Sequence, residues 1–234
     1  MTTQTTTKTK QNPFIDLIVS IVIPTLILMK LSGESNLGPL GALLLALAFP
    51  LAWGLYELVI NKKKNFVAIL GIISVLLTGG IGVLELDNKW LAIKEAAIPA
   101  AIGIGVLISS YTKYPLVRTL LYNPAVLNVE KIDSKLTQRD NKPQFDKQLL
   151  NANFLLAGTF FFSAVMNYVL AKWVVVSPSG TEAFNQELGK MMAMSYPVIA
   201  IPSMIMMLGI FYYLWRTINR LSGLELEEVI AVKE

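Results

Sequence analysis

The feature that most constrains this chain is a succession of apolar runs, each about one bilayer long, separated mostly by short polar breaks. Six are read, at 14–31, 38–60, 66–84, 91–112, 151–176 and 191–215. A helix rises about 1.5 Å per residue, so about 20 such residues cross a hydrocarbon core of about 30 Å. The expected fold is therefore all-α, an integral membrane bundle of six transmembrane helices. Composition points the same way, since only 15% of residues are charged, against about 25% in soluble domains. The first run has an acid, Asp16, near one end and Lys30 near the other, and both can snorkel to an interface. The breaks at 32–37, 61–65 and 85–90 are short, which makes successive spans antiparallel neighbours.

Lys and Arg set the expected orientation. With the N-terminus inside, fifteen of the twenty fall on the inner side, and Lys30, Lys89, Lys94, Lys172 and Lys190 fall outside. The positive-inside rule then places both termini on the cytoplasmic side of the membrane. The chain divides into a polar tail, 1–13, a membrane domain, 14–215, with a cytoplasmic connector at 113–150, and a cytoplasmic tail, 216–234. No small-x-small cleavage site follows the first run, so that span is expected to remain as an uncleaved anchor. The net charge of +4 is explained by this asymmetry and by attraction to anionic headgroups, so the bilayer and not nucleic acid is the expected partner.

Several chemistries are excluded or disfavoured. The chain has no Cys and no His, which removes thiol nucleophiles, disulfides, His-ligated metals and Ser–His–Asp arrangements. No phosphate-cradling glycine loop of the Walker type and no GxSxG elbow are present. No enzyme activity, cofactor or metal is expected. The methionines crowding the sixth run are read as adaptable packing.

Ionisable residues within spans are functional candidates by default. Asp16 and Glu57 lie near the inner ends of the first two runs, where they could share a proton or cation, although pairing with Lys62–Lys64 at the interface is simpler. Glu85, Asp87, Lys94 and Glu95, with Lys89, crowd the turn between the third and fourth runs. This turn is read as a salt-bridged structural cap, with a gate or ion site as the sharper alternative, and Trp90 as an interfacial anchor.

Two sets of small residues recur at intervals of four, Ser74, Thr78 and Gly82 in the third run and Ala97, Ala101 and Gly105 in the fourth. Small residues at this spacing let helices approach closely, so these two spans are expected to form a tight hairpin. Asn167 and Tyr168 are expected to hydrogen-bond between helices. The segment 113–150 opens with "KYPLVRTLLY", whose Leu116, Val117, Leu120 and Leu121 suit a helix on the membrane surface. It continues as a polar stretch of mixed charge, read as a solvated connector or, alternatively, a docking segment. After Gly223 the tail has the pattern of a short amphipathic helix. The stretches "IPTLILMK" (23–30) and "IPSMIMML" (201–208) are alike, and are read as coincidence or as two Pro-kinked helices with similar packing needs.

Four stretches, "FIDLIVSIVIPTLILMKLSG", "LTGGIGVLELDNKWLAIKEAAIP", "FFFSAVMNYVLA" and "SPSGTEAFNQE", occur in this order. Together they make residues 14–215 resemble the intracellular septation protein A family of bacterial inner-membrane proteins. The resemblance is greater to a branch of septation-protein-like sequences with general or transporter labels. The chain departs from the family pattern in its longer 123–150 connector, its extra C-terminal tail and the absence of a His after the Gly-Gly turn. The resemblance implies a non-enzymatic role in cell-envelope maintenance or septation, through division or envelope-elongation membrane proteins, and supplies no catalytic residues. A small proton-coupled transporter or lipid translocase, using Asp16, Glu57 or the Glu85–Glu95 cluster, is the alternative.

Overall fold

A computed structural model of the protein describes residues 17–61, 66–112, 115–124 and 127–230. Among them no strand forms, and nine helices follow one another: α1 (Ile18–Lys30), α2 (Gly38–Asn61), α3 (Phe66–Val83), α4 (Lys89–Ser109), α5 (Leu116–Leu120), α6 (Val129–Gln138), α7 (Lys142–Val174), α8 (Glu182–Ser222) and α9 (Leu226–Val229). Four helices are long and apolar enough to cross a membrane, namely α4, α7, α8 and the Gly38–Tyr56 part of α2. The apolar parts of α1 and α3 are shorter. The chain is thus all-helical and compatible with a membrane bundle.

Two helices run well past the apolar runs that announce them. α7 begins at Lys142 and α8 at Glu182, and they hold 33 and 41 residues, about 50 and 60 Å of helix at 1.5 Å per residue. Their polar ends persist because those ends still bury apolar side chains, Phe145 and Leu149 in α7, Phe184 and Leu188 in α8.

The two Ile-Pro stretches share one local structure. α1 opens with a π-turn, Ile18–Val22, and α8 contains another, Tyr196–Ala200, and each passes directly into α-helix at an Ile-Pro pair, Ile23-Pro24 and Ile201-Pro202. Proline lacks an amide hydrogen and its ring crowds the carbonyl of the preceding turn. A widened π-turn just before it relieves both problems without ending the helix.

The chain forms two units. The first takes residues up to Lys94 together with Leu170–Ser195, and the second takes Glu95–Val169 with Tyr196–Glu234. In the first, α2 packs on α1 and α3, and the Glu182–Ser195 part of α8 packs on α1 and α2. Glycine permits the close approaches. A Cβ at Gly189 would stand 2.9 Å from Met29 Cγ, and one at Gly82 would collide with Leu43 Cδ2 and reach Phe184 Cε1 at 3.6 Å.

In the second unit a continuous apolar core joins Val117 and Leu121 of the α5 region, Ile132 and Leu136 of α6, Phe145 and Leu149 of α7, Leu214 and Ile218 of α8, and Val229 of α9. The 113–150 stretch is therefore folded where it is described, with α6 burying Ile132 and Leu136. Asn128 caps α6 by accepting from the Lys131 amide. Gly223, at φ 73°, ends α8 in the left-handed conformation that glycine tolerates. α9 then folds back, its Val229 carbonyl accepting from the Asn128 amide at 2.8 Å. Lys131–Glu228 (2.9 Å), Arg118–Asp146 (3.8 Å) and Lys142–Asp133 ion pairs border this layer. Tyr122 Oη donates to Asp133 at 2.8 Å. Burial, reinforced by that bond to an anion, pushes the Tyr122 phenol well above the usual tyrosine range.

Candidate functional site

The arrangement with most chemical content in the first unit is a lysine inside the α3–α4 hairpin. Lys94, five residues into α4, is 8% exposed. Its Nζ donates to Thr78 Oγ1 at 2.7 Å and to Ser74 Oγ at 3.2 Å. Thr78 and Ser74 lie one helical turn apart on α3, so their hydroxyls form a short ladder on the face that meets Lys94. An ammonium has three donors and no acceptor, and its burial is costly unless oxygens such as these replace its water. Thr78 Oγ1 in turn donates to the Ser74 carbonyl at 3.0 Å. Of the residues expected to serve as small packing positions, Ser74 and Thr78 are thus also hydrogen-bond partners, and Gly82 lies against Leu43 of α2.

Above this pair the turn is held by a second loop. Asn88 Nδ2 donates to the carbonyls of Ser177 (2.6 Å) and Val175 (3.3 Å). Ser179 Oγ makes bonds with the Leu86 carbonyl (2.7 Å) and Asn88 Oδ1 (3.0 Å). Glu187 accepts from the amides of Val176 and Ser177, each at 2.8 Å, and from Ser177 Oγ at 2.7 Å. Glu85 has a positive φ of 51° and its Cγ would stand 2.9 Å from a Cβ on Gly180. Only a side-chain-free residue fits there, and Gly180 is itself at φ 84°.

Glu85 and Asp87 are exposed and Glu95 is half-buried. Asp87 accepts from the Lys89 amide at 2.8 Å and pairs with its Nζ at 3.6 Å. The hydrogen bond from that amide, with the Lys89 charge, holds the Asp87 carboxyl below the usual aspartate range. Asp16 and the side chain of Glu57 lie outside the described residues. Among the described residues no group of three or more acidic side chains is placed to hold a metal ion.

Comparison of the chain with protein families, curated proteins and solved structures gives no match.

The other expected sites lie elsewhere. Ala97, Ala101 and Gly105 sit on an exposed face of α4, and a Cβ at Gly105 would meet nothing within 4 Å. The close approach on α4 is instead at Gly103, where a Cβ would stand 3.2 Å from Phe160 Cβ of α7. Asn167 bonds within its own helix, donating to the Ser163 carbonyl at 2.8 Å and to Ser163 Oγ at 3.2 Å, and Tyr168 is exposed.

Two buried asparagines carry the interhelical role. In the second unit Asn153, fully buried, accepts from the Val117 amide at 2.8 Å and donates to the Val106 carbonyl (2.8 Å), Ser110 Oγ (2.7 Å) and Ser109 Oγ (3.1 Å). It thereby joins the end of α4, the start of α5 and the middle of α7. In the first unit Asn185 donates to the Pro39 carbonyl at 2.6 Å and to Ser32 Oγ at 3.1 Å. Asn153 stands with Asn151 at the start of an apolar run, and that position was the available signal. Asn88, Ser179 and Glu187 lie in the family-like stretches but carry no signature that separates a clasp from an ordinary loop.

Proposed function

We propose that this chain is a non-enzymatic, multi-pass protein of the bacterial inner membrane that acts through protein partners in envelope maintenance or septation. In this reading α1 and α3 supply two further crossings, giving six, and both termini are cytoplasmic. One observation carries it. The long polar stretch between the apolar runs contributes α6 to an ordered layer cored on Ile132, Leu136 and Phe145, and α6 keeps Glu130, Ser134, Thr137 and Gln138 exposed on its outer face. A folded, charged platform attached to apolar helices suits docking better than catalysis, and the resemblance to septation proteins points to the same class of role. The test is in-cell photocrosslinking from Ser134 and Thr137. Specific adducts with division or elongation membrane proteins are expected. Cells that yield no adduct from either position, with the protein at normal abundance, contradict the reading.

A second reading rests on Lys94. A charged side chain within an apolar helical hairpin, held by two hydroxyls, also suits a small proton-coupled transporter or lipid translocase. Proton flux in proteoliposomes discriminates. Flux by the parent that Lys94→Met and Asp87→Asn abolish favours transport, and a parent without flux ends the proton-coupled version.

A further inference from the structure

Near the C-terminal end of α8, Tyr213, Arg216, Thr217 and Arg220 recur at the i, i+3, i+4 and i+7 spacing of one helical face. Together with Gln148 of α7 they line a cleft of about 280 Å³, just under the range of roughly 300–1,000 Å³ typical of small-molecule sites. Among the described residues its lining holds no carboxylate. Among the described residues neither Arg216 nor Arg220 forms an ion pair, whereas Arg118, Lys131 and Lys142 of the same unit do. Gln148 Oε1 accepts from Tyr213 Oη and from Asn151 Nδ2 (3.4 Å). That bonding turns the amide so that its NH₂ remains available as a donor. Thr217 is 4% exposed and adds a hydroxyl. The helix C-terminus favours a cation at Arg220, in the last turn, but that effect fades within a turn and does not account for Arg216. The cleft follows the apolar part of α8, and the Tyr212–Trp215 ring pair, with centroids 5.6 Å apart, lies in the same turns of that helix; aromatic residues at such a boundary suit a headgroup level.

We propose that this cleft binds a phosphate-bearing anion, gripped by the forked guanidiniums of Arg216 and Arg220 and oriented by Gln148. Guanidinium matches phosphate oxygens two at a time, which an ammonium does not. An anionic phospholipid headgroup and a soluble phosphate share this chemistry.

The test uses the full chain purified in detergent and exchanged into mixed micelles of phosphatidylglycerol and phosphatidylcholine, with retained lipid read by native mass spectrometry. The parent is expected to retain phosphatidylglycerol preferentially. Arg216→Gln and Arg220→Gln should each weaken that retention about tenfold or more. Lys135→Gln, which removes one charge outside the cleft, should leave it unchanged. Arg216→Lys keeps charge and fold but loses the fork, and should weaken retention partway. In a second arm, inorganic phosphate is titrated into the protein in phosphatidylcholine nanodiscs. A rise in Tm that the Arg variants abolish, without lipid preference, assigns the cleft to a soluble phosphate. A parent with neither lipid preference nor phosphate response overturns the proposal, as does a preference that survives both Arg→Gln substitutions.

Discussion

Lys94 Nζ and Thr78 Oγ1, on successive apolar helices, are 2.7 Å apart in a buried hydrogen bond. It ties together the two sides of the turn in which the sequence concentrates its charge. Removing the acceptor while keeping the ammonium should therefore cost more than removing both. Thr78→Val is expected to destabilise the protein by about 1–3 kcal/mol, the range for losing a partner of a charged group. Lys94→Met in the Thr78→Val background should recover part of that loss. A double-mutant cycle read by unfolding in mixed micelles should give a coupling of about 0.6–1.7 kcal/mol, the scale found between membrane helices. Additive effects would mean that the bond contributes nothing specific.

Gly82 tests the packing of the same helix. Its missing Cβ is the space that Leu43 Cδ2 occupies, and Leu43 is itself 1% exposed. Gly82→Ala should overpack this contact and cost about 1–3 kcal/mol. Leu43→Ala added to it should relieve the overpacking. Gly105→Ala, where a Cβ meets nothing within 4 Å, should be neutral or slightly stabilising through helix propensity, by up to about 1 kcal/mol. Equal effects at the two glycines would contradict the assignment of these faces.

These two glycines show what the sequence could and could not tell. The spacing of four in Ser74, Thr78 and Gly82 is the same as in Ala97, Ala101 and Gly105, yet only the first set meets neighbours closely. Spacing says which residues share a face. The rotation of the helix, set by every partner it packs on, says where that face points. The all-helical class was legible because apolar run length alone nearly determines it. The early starts of α7 and α8 were not, since a hydropathy window falls as soon as Lys, Gln and Asp enter it, even while Phe145 or Phe184 keeps the helix packed. Lys94 was legible as a candidate from its position beside an apolar run. Its hydroxyl partners were seen only as small residues, because Ser and Thr serve packing and ligation with the same spacing.

Asn153 is the strongest single polar tie among the described residues of the second unit. It satisfies the Val117 amide and draws three acceptors toward one side chain. Asn153→Leu preserves approximate volume but leaves that amide buried without its partner. A loss of about 2–4 kcal/mol is expected, combining the orphaned donor with the lost hydrogen bonds. Hydrogen exchange should localise it, with amides at 116–121 losing protection before those in the middle of α7. Uniform loss across the unit would show instead that α5 does not depend on this residue.

The contact of α9 with α6 should respond to acid. Hydrogen bonds from Lys131 and from the Glu225 amide hold the Glu228 carboxyl below its usual range. Because the folded pKa lies below the unfolded one, the folded state gains stability above the unfolded value, and that gain is lost as pH falls through the folded value. The effect on α9 should therefore appear below about pH 4.3, the ordinary glutamate value, and leave neutral and alkaline behaviour unchanged. The ion pair is exposed, so added salt should weaken it at neutral pH. Hydrogen exchange at 226–230, followed from pH 6 downward with correction for the intrinsic rate, reads both effects. In the parent, protection should fall in acid. In Glu228→Gln it should already be lower at pH 6 and change little below it. A Glu228→Gln profile that still falls with acid would move the titrating group elsewhere in the α6–α9 contact, with Glu225 and Glu227 the next acids to substitute.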